Sequence, residues 1–88
     1  MSYHLDFSQQ AENDINFHKK TGNKAVLKKL SILLNELTEH PLEGTGKPEP
    51  LKHNLSGCWS RRINQEHRLI YEVMEDSVYI QSARGHYR

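Results

Sequence analysis

The stretch CWSRRINQEHRLIYEVMEDSVYIQSA, Cys58 to Ala83, decides the fold. Cys58 to Ile63 reads as a strand, and Asn64-Gln65-Glu66 turns it. His67 to Val73 is the next strand, with Leu69, Tyr71 and Val73 on one face and Arg68, Ile70 and Glu72 on the other. Glu75-Asp76-Ser77 turns again, and Val78 to Ala83 is β-branched and aromatic enough to sit inside a sheet. An antiparallel sheet of this kind needs one face covered.

The cover lies upstream. Val26, Leu27, Leu30, Leu33, Leu34 and Leu37 form an apolar stripe at helical spacing, with Lys24, Lys28, Asn35 and Glu39 on the far side and Pro41 as a stop. A sparser helix runs from an N-cap at Ser8 to about Lys20, with Ala11, Ile15 and His18 facing inward. Thr21-Gly22-Asn23 ends it, and Asn23 caps the next helix. Tyr3 to Phe7 alternates like a half-buried strand, while Leu42 to Ser56 reads as loop. The element order is β-α-α-β-β-β, an α+β domain over residues 1–88 with both helices on one face of the sheet.

With 88 residues the chain makes one small domain with a thin core, 35% apolar and 26% charged. It holds no apolar run long enough to span a bilayer and no signal peptide. One cysteine, Cys58, forms no internal disulfide, which fits a reducing cytoplasm. The net charge of +1 argues little for nucleic acid. Its distribution says more: from Gly44 to Tyr71, Lys47, Lys52, Arg61, Arg62 and Arg68 stand against Glu49 and Glu66. On charge alone an ordinary solvated loop with surface lysines is the favoured reading.

The chemistry-bearing residues sit where a core is not being built. Pro48 and Pro50 hold Glu49 extended and remove competing amide donors beside it, as a proton acceptor needs and as any rigid exposed turn also provides. Arg68, inside a strand, is placed to clamp a phosphate or to pair with Glu66 or Glu72. Arg61 and Arg62 alternate faces, so at most one joins the same site. Trp59 offers a stacking surface, although a lone Trp at a strand start is more often core. His86 can hold and release a proton near neutral pH. Arg84 can serve the site or the terminal carboxylate. The remaining histidines lack metal-ligand spacing, so neither a zinc site nor another cofactor is expected. Gly44-Thr45-Gly46-Lys47 is no P-loop.

The run Gly46-Lys-Pro-Glu-Pro-Leu-Lys-His-Asn-Leu-Ser-Gly57, then Trp59 to Ile63, Glu66 to Leu69 and the closing His86-Tyr87, resembles the YoeB/Txe family of bacterial toxins within the RelE/ParE superfamily. The match is long and nearly gapless over the second half of the chain; the first half agrees in layout. The resemblance implies a RelE-like fold and a toxin endoribonuclease that cuts messenger RNA in the ribosomal A site. It makes Glu49 the general base, His86 the acid, Arg68 and Tyr87 further catalytic groups, and Lys52, His53, Trp59, Arg62 and Arg84 substrate contacts. It implies a YefM-type antitoxin, operator DNA bound only through the antitoxin complex, a homodimer, no membrane partner and a cytoplasmic location. The rival within the superfamily is a ParE-like gyrase inhibitor or a module with a dead site; Glu49, Arg68 and His86 together favour the nuclease. Gly85 before His86 and Arg88 after Tyr87 depart from the family, and Gly85 predicts a looser tail.

Overall fold

The computed structural model describes residues 2–52 and 57–85. Strand β1 (His4–Phe7) leads into helices α1 (Gln9–Thr21) and α2 (Lys24–Leu37), followed by β2 (Glu49–Pro50), β3 (Cys58–Arg62), β4 (Arg68–Val73) and β5 (Ser77–Ser82). The sheet order is β1-β5-β4-β3-β2. β1 runs parallel to β5, and every other neighbour is antiparallel. No helix among the described residues is long and apolar enough to cross a membrane.

Both helices start as their sequences dictate. The Ser8 hydroxyl accepts from the Ala11 amide at 3.0 Å and donates to the Gln81 carbonyl, so the cap of α1 is also tied to β5. Asn23 accepts from the Val26 amide at 3.2 Å. Gly22 closes α1, its N–H bonded to the Lys19 carbonyl. Helix α2 stops at Leu37, short of Pro41, because Thr38 turns back to the Asn35 carbonyl through both amide and hydroxyl.

Val26, Leu30, Leu33 and Leu37 of α2 are buried against Leu69, Tyr71, Val78 and Ile80 of the sheet. Full burial of each such side chain stabilises by about 1.5–3 kcal/mol. The expected strand faces hold: Leu69 and Tyr71 lie in this core with Val73 packed on it, while Ile70 joins Leu51 and Cys58 in a small cluster on the opposite face. Helix α1 buries Asp14 as well as Ala11 and His18, and Ile15 is only half-buried.

Two details differ from the sequence reading. Glu49 and Pro50 form a two-residue edge strand paired with Ser60 and Trp59, where a loop is expected. The Leu51 amide continues that ladder to the Cys58 carbonyl at 2.8 Å. The extended conformation that the flanking prolines impose is already that of a strand, so it pairs with the nearest open edge. The second difference is a register shift between β4 and β5: Ile70 faces Ser82 but Tyr71 faces Ile80, a bulge at Gln81 that redirects the chain just before its last residues.

Candidate active face

Strand alternation sorts the arginines. Ser60 and Arg62 of β3 share the face away from the helices, and their partners Glu49 on β2 and Arg68 on β4 share it too. Glu49 is half exposed, and its Oε1 lies 3.3 Å from Nη1 of Arg68. Arg68 is held more tightly, with only 17% of its side chain exposed. A carboxylate and a guanidinium therefore meet on this face, with Arg62 exposed at the register position across from Arg68. Neither Glu66 nor Glu72 is the partner seen for Arg68 in this pair.

The loop before β2 is shaped to deliver Glu49. Gly46 accepts from the Arg62 amide at 2.7 Å, and its φ is +85°. A Cβ at Gly46 would stand 2.8 Å from the Arg62 carbonyl oxygen, so only glycine lets the loop lie this close to β3. Lys47 next to it also has positive φ, at 53°.

Arg61 points the other way and is fully buried. Its Nε donates to the Tyr71 hydroxyl at 3.1 Å and its Nη1 to Glu36 Oε1 at 2.8 Å. Its remaining bonds go to the carbonyls of His40, Glu43 and Thr45. The Tyr71 hydroxyl in turn donates to the Pro41 carbonyl at 2.9 Å. The pair thus fastens residues 40–45 onto the sheet. The Thr45 hydroxyl, the Thr45 amide and Arg61 hold the Glu36 carboxyl below the ordinary carboxylate range against the opposing effect of burial. Burial pushes the Tyr71 phenol up, with Arg61 acting against it.

Several expectations for the site need revision. Trp59 lies on the helix-side face, paired with Tyr71 and packed on the main core, so it is turned away from Glu49 and offers no stacking surface there. The parity of the strand decides this: Trp59, Arg61 and Ile63 share the inward side. Arg84 does not reach the Glu49 end as a free cation; its guanidinium lies 3.6 Å from the centre of the Phe17 ring on α1. Lys52 is exposed three residues after Glu49. His53, His86 and Tyr87 lie outside the described residues.

Gly85 is not loose. Its amide donates to Nδ1 of His67 at 2.9 Å, and its carbonyl accepts from the Arg68 amide at 3.0 Å. Its φ of +73° suits glycine. Upstream, the Ala83 amide donates to buried Asp14 at 2.9 Å, and the Ala83 carbonyl accepts from His18 Nε2 at 2.8 Å. Asp14 escapes a reading based on apolar spacing, whereas His18 faces inward as that spacing implies. The available signal is two polar residues four apart on the helix face that carries Ala11.

Solved structures share this architecture. The YoeB/ParE toxin from Agrobacterium tumefaciens superposes with a TM-score of 0.88 at 32% identity, over 96% of this chain and 99% of that one. A YoeB from Staphylococcus aureus matches as a dimer, with TM-score 0.86 and 42% identity, and in a YoeB–YefM complex, with TM-score 0.85 and 43% identity. Each covers 99% of this chain and all of the other. The fold is thus that of a small bacterial toxin. In sequence, Toxin YoeB of Escherichia coli is 48% identical over 94% of this chain and 98% of its own length. The chain belongs to the YoeB-like toxin family of bacterial type II toxin–antitoxin systems, whose model matches residues 7–87.

Proposed function

We propose that this toxin is an endoribonuclease that cuts messenger RNA on the ribosome by general acid–base transesterification without a metal ion. The observation that carries the reading is Glu49 beside Arg68 on an open sheet end, with Arg62 opposite. A base so placed can approach a large, flat substrate that no enclosed pocket would admit. Glu49 takes the proton from the ribose 2′-hydroxyl, and that oxygen attacks the adjacent phosphorus. The bond to the 5′-oxygen breaks, and His86 supplies the proton that this oxygen needs. Arg68 and Arg62, with Lys52 and His53 after the edge strand, balance the charge that builds on the phosphoryl oxygens. Tyr87 orients the scissile nucleotide. The products are a 2′,3′-cyclic phosphate and a free 5′-hydroxyl, and the reaction balances without added water.

The toxin acts in the cytoplasm and is held in check by a YefM-type antitoxin, a partner supported by the S. aureus complex; the dimer of the same protein supports a homodimer here. Operator DNA is reached only through the antitoxin complex. Primer extension on a translated transcript tests the proposal. Discrete stops inside codons, dependent on ribosomes and indifferent to chelator at ribosome-preserving magnesium, are expected. Intact transcripts with loss of DNA supercoiling in induced cells would instead favour a gyrase inhibitor.

A further inference from the structure

The last described residues are held in place one by one. Ala83 is clamped through both its amide and its carbonyl by Asp14 and His18 of α1. Arg84 stacks on Phe17 of the same helix. Gly85 is bonded through its amide to His67 and through its carbonyl to the Arg68 amide. The rings of Phe17, His18 and His67 touch in sequence, edge to face, with centroids 5.5 Å and 4.7 Å apart. His67 itself is fixed from behind, because Asn64 Oδ1 accepts from its amide at 2.7 Å. His86 begins one peptide bond, about 3.8 Å of Cα travel, beyond Gly85.

We propose that His67 is a positioning residue for the general acid: its Nδ1 holds the amide of Gly85, whose carbonyl is bonded to the Arg68 amide, and so fixes the residue from which the chain continues into His86. This rests on the reading of His86 as the acid. An amide donor at Nδ1 requires a lone pair there, so neutral His67 carries its proton on Nε2. His67 reaches no reacting atom in this role. It acts by binding the backbone that delivers the atom that does.

The chemistry of the side chain allows a sharp test. Asn places an amide oxygen near the position of Nδ1, whereas Gln extends past it toward the position of Nε2. Single-turnover cleavage on programmed ribosomes is measured for His67→Gln and His67→Asn, each in the parent and in a His86→Gln background. Misplacing the acid by about 1 Å should slow His67→Gln by up to roughly 10²-fold. His67→Asn should recover most of that loss, and ribosome affinity should stay unchanged. In the His86→Gln background His67→Gln should add no further loss, because two residues acting through one group are not additive. Equal slowing in both backgrounds, or no advantage of Asn over Gln, overturns the proposal. A parental rate for His67→Gln with a slow His86→Gln overturns the positioning role and leaves the acid assignment standing. A parental rate for His86→Gln removes the acid assignment itself. One measurement needs no variant: in the parent protein the Gly85 amide should be protected from hydrogen exchange, and imidazole nitrogen NMR should show the Nε2–H tautomer of His67. An unprotected Gly85 amide also overturns the proposal.

Discussion

Replacing Arg61 by Met removes the fastening between residues 40–45 and the sheet while keeping a long side chain in place. Five hydrogen bonds go: to the Tyr71 hydroxyl, to Glu36 and to the carbonyls of His40, Glu43 and Thr45. Removing one partner of a wholly buried ion pair costs about 3–5 kcal/mol. Here Arg61 has no exposed side-chain surface, but Glu36 is 25% exposed and keeps two bonds to Thr45. Water can reach that carboxylate, so the cost falls to about 2–3 kcal/mol. A domain of 88 residues has a total stability of roughly 4–13 kcal/mol. Arg61→Met should therefore lower Tm by roughly 8–24 °C. Arg61→Lys keeps the charge but not the fork of donors and should fall in between. Urea unfolding followed by circular dichroism, with unchanged slope, measures the difference. A loss below about 0.5 kcal/mol, within the usual range for surface substitutions, would refute the view that Arg61 is structural.

Three further outcomes follow from the same geometry. Gly46→Ala should displace the loop that carries Glu49, since its Cβ meets the Arg62 carbonyl; cleavage should drop more than stability, and equal activity would contradict the close approach. The lowered Glu36 carboxyl stabilises the fold above its ordinary value of 4.5, and that contribution is lost as pH falls through the lower folded value. Stability of Glu36→Gln should accordingly be lower at neutral pH but flatter between neutral and acid, and parallel pH curves for the two proteins would sink the linkage. Neutralising Lys52 or Arg62 should shallow the dependence of log RNA affinity on log salt by about 0.7 for each phosphate that is no longer paired; an unchanged slope would place both outside the interface.

The elements that local pattern governs were legible in the sequence. The leucine stripe of α2, the caps at Ser8 and Asn23 and the alternation of β4 all depend on neighbours a few residues apart. Partner choice does not. Nothing local says that β1 runs parallel to β5, and a two-residue edge strand is too short to carry a period. Arg61 and Arg62 look alike until the strand phase is fixed; the inward parity of Trp59 and Ile63 then separates an interior tie from a surface cation. The same parity removes Trp59 from the site. Gly85 reads as loose in isolation because its restraints, His67 and the Arg68 amide, lie 17–18 positions upstream and meet it only in the folded sheet.

Single-turnover cleavage of ribosome-bound messenger RNA by Glu49→Gln tests the central claim most directly. Gln keeps the size and polarity of the side chain on the edge strand but cannot accept the 2′-hydroxyl proton. The rate should fall by roughly 10²–10⁴ with folding, ribosome binding and antitoxin binding intact. A rate within a few-fold of the parent, with the same 2′,3′-cyclic phosphate ends, would contradict the assignment of Glu49 as the base.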